Sequence, residues 1–196
     1  GCSKLRLLII PDSVTKIGSC AFYKCESLNE LSIPQTIKKI GSFTFYGCPF
    51  TKFSIPRSVS SLGSYAFGQC SYLEEVEIPI SVKFVDRFAF SECNSLKSIN
   101  FQSNEIKLRE NVFSGFKKIE ISRNMNMIIN NMFNGCFSLT QIYIPPSIKV
   151  IGSRAFSQCK SLRSITIPET VEFIDKGAFC GCVSITKIEI PKSIKS

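Results

Sequence analysis

Ten cysteines and no histidine are the first chemical facts of this 196-residue chain. Thiols can cross-link, hold zinc or act as nucleophiles, and each role needs a particular setting. Without histidine, the Ser-His-Asp and Cys-His nucleophile arrangements are excluded, and so are most catalytic zinc sites. Cys180-Gly181-Cys182 is too short for a C-x₂₋₄-C zinc knuckle. Carboxylates offer a second chemistry. Glu74, Glu75 and Glu77 lie close in sequence and could form a glycosidase-like pair. A solvated strand face accounts for them more simply. No G-x-G-x-x-G or G-x-x-x-x-G-K-[ST] phosphate loop occurs. The expectation is a chain with no enzyme activity, no cofactor and no metal.

The cysteines are ordered by something larger than themselves. Eight of them (Cys2, Cys25, Cys48, Cys70, Cys93, Cys136, Cys159 and Cys182) recur at one position of a repeat. Prolines at 11, 34, 56, 79, 145, 168 and 191 keep step, with Gln102 and Ser122 filling the same slot in between. The intervals are 23, 22, 23, 23, 20, 23, 23 and 23 residues. Phenylalanine marks a third phase at 22, 45, 67, 90, 113, 133, 156 and 179. A fixed period of this length predicts stacked coils, one solenoid of about eight coils over residues 1–196. The cysteines then form a ladder of small buried hydrophobes with weak S–H donors. Their parallel Cβ directions suit disulfides poorly. Cys20 and Cys180 fall outside it.

Within one coil, Leu28, Leu31 and Ile33 predict a short strand ended by Pro34, which has no N–H for a ladder. Ile37 and Ile40 point inward, Gly41 turns a corner where φ > 0 is expected, and Thr44-Phe45 opens a short helical or 3₁₀ segment. No coil can bury its apolar groups alone, but stacked neighbours can, each strand pairing in parallel with the next.

The stretch Ile144-Pro145-Pro146-Ser147-Ile148-Lys149-Val150-Ile151-Gly152-Ser153-Arg154-Ala155-Phe156-Ser157-Gln158-Cys159-Lys160-Ser161-Leu162 resembles the BspA-like branch of the leucine-rich repeat proteins. The resemblance covers essentially the full chain. It implies an α/β leucine-rich-repeat solenoid, with a parallel β-sheet on one face and short helical or 3₁₀ segments and loops on the other. It also implies a cell-surface or secreted protein that adheres to host cells or matrix proteins, with no catalysis by the repeat. An intracellular scaffold stays open as an alternative, consistent with many free thiols and no N-x-[ST] sequon.

Outward positions of the predicted strands form the candidate binding face: Glu30, Lys52, Glu74, Glu75, Glu77, Lys97, Lys117, Lys118, Tyr143, Arg163 and Lys187. The acidic coil followed by two lysine-bearing coils gives a charged stripe suited to a protein of complementary charge. Tyr143 is its aromatic anchor. A generic solvated surface is the competing reading. The net charge of +9 admits a polyanion such as a sulfated glycan, but the basic residues are spread over all repeats. No arginine-rich run or nucleic-acid module occurs, so nucleic acid is not expected as a partner.

The middle of the chain is irregular. From Gln102 to Phe133 two prolines are missing, and Arg109 and Ile129 stand where glycine is expected. The 20-residue repeat runs from Phe113 through Ser114-Gly115 to Phe116, losing the residues that carry the ladder cysteine. The 22-residue repeat shortens in the same turn, at Cys48-Pro49-Phe50. Strand register is expected to survive, because Phe116 and Phe50 replace the usual leucine. The irregular coil is a bend, a ligand site or drift. The chain opens and closes inside a repeat and shows no polar cap, signal segment or membrane span, so a piece of a longer array is expected.

Overall fold

The structure is a computed structural model and describes residues 1–195. Its strands in chain order are β1 (Leu7–Ile9), β2 (Glu30–Ser32), β3 (Lys39–Ile40), β4 (Lys52–Ser54), β5 (Ser61–Leu62), β6 (Glu75–Ile78) and β7 (Phe84–Val85). They continue as β8 (Ser98–Phe101), β9 (Lys107–Leu108), β10 (Lys118–Ile121), β11 (Met127–Ile128), β12 (Gln141–Tyr143), β13 (Val150–Ile151) and β14 (Phe173–Ile174). All pairings are parallel, as stacking of like on like requires.

A regular coil has three hydrogen-bonded sides. The first carries the longer strands, in a two-stranded sheet β1-β2 and a five-stranded sheet β12-β10-β8-β6-β4. The second carries two-residue strands, in the order β3-β5-β7-β9 and then β11-β13-β14. The third carries the phenylalanine turn, and it holds no helix among the described residues. The expected helical segment at Thr44-Phe45 is replaced by consecutive tight turns. Phe43 (φ 56°) and Gly47 (φ 70°) flank Phe45 in the left-handed region, which a right-handed helix cannot contain.

The same pair of left-handed residues, two before and two after the phenylalanine, recurs in every coil. Tyr65 and Gln69 bracket Phe67, Phe88 and Glu92 bracket Phe90, and Gly177 and Gly181 bracket Phe179. A left-handed conformation costs a non-glycine residue about 1–2 kcal/mol. It persists here because it aims alternate backbone N–H groups at the next coil. Tyr65, Phe67 and Gln69 donate to the carbonyls of Arg87 (3.2 Å), Ala89 (2.8 Å) and Ser91 (2.8 Å). This side is therefore a backbone ladder built from turns.

The corner glycines are not left-handed, contrary to expectation. Positive φ occurs instead at Gly47, Gly115, Gly135, Gly177 and Gly181. Gly63 and Gly152 are small because coils touch there. A Cβ on Gly63 would lie 2.6 Å from the Ser42 nitrogen, and one on Gly152 would lie 2.8 Å from the Ile128 carbonyl oxygen.

The phenylalanines form a continuous column, with successive rings from Phe22 to Phe179 centred 5.3–6.3 Å apart. Isoleucine, leucine and valine from the other two sides close the core around them. The cysteine ladder has a defined bond. Cys48, Cys70, Cys93, Cys159 and Cys182 each donate their thiol to the carbonyl of the core phenylalanine in the coil before, at 3.0–3.2 Å. Cys136 does the same to Phe113 at 3.1 Å. All ten cysteines are free thiols. Burial pushes the Cys48 thiol up to about 12 and raises Cys70, Cys93 and Cys136 as well, so these groups are protonated donors at neutral pH.

The expected survival of strand register fails at the 20-residue repeat, and at the 22-residue repeat the pairing itself is lost on the first side. At the 22-residue repeat β2 and β4 are not joined, so the first side splits into two sheets. At the 20-residue repeat β10 still pairs with β8, but Ser98 faces Glu120 and Ile99 faces Ile121. Alignment of the proline slots would have put Ser98 beside Lys118. The slip is thus two residues. An even slip keeps inward side chains inward, whereas a slip of one would expose the core face. Ile119 and Ile121 accordingly stay buried.

Candidate protein-binding face

The face grows from strand alternation. In β6 and β10 the pattern is exposed, buried, exposed, buried, so Glu75 and Glu77, and then Lys118 and Glu120, stand outward over Val76, Ile78, Ile119 and Ile121. Lateral register aligns Lys52 with Glu75 and Ser98, and Ser54 with Glu77 and Asn100. Beyond the slip, Ser98 aligns with Glu120, and Glu120 with Tyr143. One row therefore runs Lys52, Glu75, Ser98, Glu120, Tyr143. The two-residue slip takes Tyr143 out of the row of Glu77 and into the row of Glu75, which repeat counting alone does not show.

The sequence-derived residues divide into groups. Lys52, Glu75, Glu77, Lys118 and Tyr143 share the five-stranded sheet. Glu74, Lys97 and Lys117 immediately precede its strands, and Glu74 is half-buried. Glu30 lies on β2, in the separate two-stranded sheet. Arg163 and Lys187 lie on extended segments that are exposed and outside any assigned strand.

Charges pair between coils. Lys97 Nζ lies 2.8 Å from Glu74 Oε2. The hydrogen bond and charge of Lys97 hold the Glu74 carboxyl below the usual carboxylate range, and Glu74 raises Lys97 in turn. Lys97 is exposed and the Glu74 side chain is about half open to water, so water screens most of the pair's effect on stability. Lys187 and Glu189 pair at 2.7 Å within one coil. The Gln102 amide donates to Glu77 Oε1. Lys52, Lys117, Lys118, Glu75 and Glu120 make no ion pair among the described residues, which leaves their charge available to a partner.

Beside β12 the surface is concave. An open groove of about 450 Å³ is lined by Lys118, Gln141, Ile142, Tyr143, Pro146 and Thr166, among others. The sequence implied no such concavity. It arises because β12 ends the five-stranded sheet, and the following segment around Ser164–Thr166 does not extend it. Tyr143 is 56% exposed and lines the groove with Ile142, Ile144, Pro146 and Lys118, large enough to anchor a contact.

No curated protein matches the chain. Among solved structures, it is similar to a leucine-rich repeat protein from Bacteroides ovatus, at 26% identity over 100% of this chain and 75% of that one, with a TM-score of 0.45. It is similar to a leucine-rich cell surface protein from Faecalibacterium prausnitzii, at 25% identity over 94% of this chain and 59% of that one, with a TM-score of 0.46. A leucine-rich repeat protein of T. pallidum matches at 23% identity over 91% of this chain and 77% of that one, with a TM-score of 0.49. The model of the BspA type leucine-rich repeat region matches in six copies over residues 1–120 and 106–196. With the repeat, the phenylalanine column and the parallel coils in agreement, the chain belongs to the BspA type leucine-rich repeat family.

Proposed function

We propose that this chain is a protein-interaction module of a cell-surface or secreted protein, which holds a host-surface or matrix protein against its first side. The observation that carries the reading is the row Lys52, Glu75, Ser98, Glu120, Tyr143, which presents one cation, two carboxylates and one aromatic anchor on a parallel sheet. Such a surface recognises by complementary charge around a buried contact. Glu30, Glu74, Glu77, Lys97, Lys117, Lys118, Arg163 and Lys187 extend it along the coils. The family resemblance supports the location and the class of partner. No helix among the described residues is long and apolar enough to cross a membrane.

The test is binding of the chain to a panel of purified matrix proteins, repeated over a salt series. The reading expects saturable binding to a protein that persists at high salt, because a packed contact around Tyr143 is screened less than bare charge. Binding to none of them, or binding only to heparin that vanishes with salt, overturns it.

A further inference from the structure

The irregular coil leaves a second cleft, on the second side and away from the sheet face. The short repeat breaks the ladder of two-residue strands, because β9 and β11 are not hydrogen-bonded neighbours. On either side of the break the ladder is regular, with Lys107 and Arg109 donating N–H bonds back to Lys83 and Val85, and Lys149 and Gly152 donating back to Asn126 and Ile128. The gap opens a cleft of about 500 Å³, lined by Phe84, Lys107, Arg109, Glu110, Asn130, Asn131, Asn134 and Arg154 among others. That volume is in the range of small-ligand sites, roughly 300–1,000 Å³.

The lining is chemically biased. It holds three cations, Lys107, Arg109 and Arg154, and one carboxylate, Glu110. Glu110 is already neutralised, with its Oε1 2.6 Å from Arg87 Nη2. Among the described residues none of the three cations has a carboxylate partner. Arg109 occupies the slot that holds Gly18, Gly41, Gly63 and Gly152 in other coils, and its guanidinium lies over the Phe84 ring, 5.7 Å from the centroid. The asparagines are fixed in place. Asn130 Oδ1 accepts from the Ser153 N–H at 2.8 Å, Asn131 Nδ2 donates to the Leu108 carbonyl at 3.3 Å across the break, and Asn134 Nδ2 donates to Asn131 Oδ1 at 3.1 Å. These bonds leave the Asn130 amide nitrogen and the Asn134 amide oxygen without partners among the described residues.

We infer that this cleft binds an acidic sugar unit of a glycan, with Arg109 and Arg154 taking its carboxylate or sulfate and the asparagine amides taking its hydroxyls. Planar guanidinium groups match carboxylate and sulfate oxygens through paired N–H donors. Amides both donate and accept, which suits neighbouring hydroxyl groups. An acidic peptide would use the cations through its side chains and could offer the amides only its spaced backbone groups, whereas a sugar ring offers them adjacent hydroxyls. This site shares no lining residue with the groove at Tyr143, and it does not depend on the sheet-face reading.

The experiment titrates the full chain with a heparin hexasaccharide, a hyaluronan hexasaccharide, neutral maltohexaose, a poly-glutamate peptide and sodium sulfate. The paired variant Arg109→Gln/Arg154→Gln is compared with Lys52→Gln/Lys187→Gln, which removes the same charge from the sheet face. Unfolding midpoints establish that both variants are folded, and an Asn134→Ala variant tests the amides without changing charge. The inference expects one or both acidic hexasaccharides to bind and maltohexaose not to. It expects about a tenfold or greater loss in the arginine pair, and less than about twofold in the lysine pair. A sulfated ligand is the source if heparin alone binds, and a carboxylated one if hyaluronan binds. Equal loss in both paired variants, an unchanged Asn134→Ala, tighter binding of poly-glutamate, or binding of sulfate ion with neither hexasaccharide would overturn it.

Discussion

The Cys93 sulfur lies 3.0 Å from the carbonyl oxygen of Phe67, one coil earlier, and the thiol donates to it inside the core. Phe67 stacks on Phe90, centroids 5.3 Å apart, so one contact ties the cysteine ladder to the phenylalanine column. The cysteine is there as a donor that fits where a hydroxyl would be too polar and a methyl would leave the carbonyl short of a partner. Cys93→Ala is expected to cost about 1–3 kcal/mol, from a small cavity and the lost bond. Cys180→Ala, at an exposed site, is expected to stay within about 0.5 kcal/mol. Urea unfolding of the two variants checks this.

Thiol labelling separates the cysteines by burial. Cys2, Cys20 and Cys180 are exposed and are expected to react first with a thiol reagent in the native protein. Cys25, Cys48, Cys70, Cys93, Cys136 and Cys159 are buried and are expected to react only on unfolding. The raised thiols also set an alkaline limit. Cys48 stands near 12 in the folded chain against an ordinary value near 9, so its contribution is whole below pH 9 and is lost as pH rises from there towards 12. A pH series of unfolding midpoints checks the sign, which would be reversed for a thiolate held by a cation.

Gly68 is glycine for a reason unrelated to φ. A Cβ there would meet Tyr46 Cδ2 at 2.9 Å and Tyr65 Cδ1 at 3.1 Å. Those rings belong to an outer aromatic file in which Phe43, Tyr65 and Phe88 stack at 4.8 Å over their left-handed backbones. Gly68→Ala is expected to destabilise the chain by about 1–3 kcal/mol through overpacking. Tyr46→Ala in the same chain is expected to remove most of that increment, which a double-mutant cycle measures.

Amide exchange reads the ladder break directly. The N–H groups of Lys149 and Gly152 are bonded to the coil before at 2.7 and 2.8 Å. Asn126 and Ile129 occupy the corresponding places across the break, where β11 has no β9 partner. The amides of Asn126 and Ile129, the residues in register with Lys149 and Gly152, are expected to exchange at least about tenfold faster than those two. Equal protection would mean that the ladder runs through the short repeat.

The solenoid, the phenylalanine column and the cysteine ladder were legible from spacing, because each is one residue type repeated in phase. The phenylalanine turn was not. Glycine and asparagine fill only some of its left-handed sites; Cys20, Phe43, Tyr65 and Arg154 fill others, types that carry no turn signal, and these four are held by bonds to the next coil. The two-residue strands were too short to show a period. The slip between β8 and β10 was hidden for a different reason: deletion length counts residues lost from a turn, whereas register is chosen by which isoleucines stay inside. Of the candidate face, the outward residues were readable from alternation. The groove beside Tyr143 was not, since it depends on where the sheet stops.

The central claim is that Tyr143 and its row make the contact with a protein partner. The direct measurement takes the matrix protein bound by the intact chain and compares affinity for Tyr143→Ala, for Glu75→Lys and for Lys16→Gln, the last lying outside the sheet face. The account predicts losses of about tenfold or more for the first two and less than about twofold for the third. Binding unchanged by Tyr143→Ala and Glu75→Lys would place the contact on another side of the solenoid and contradict it.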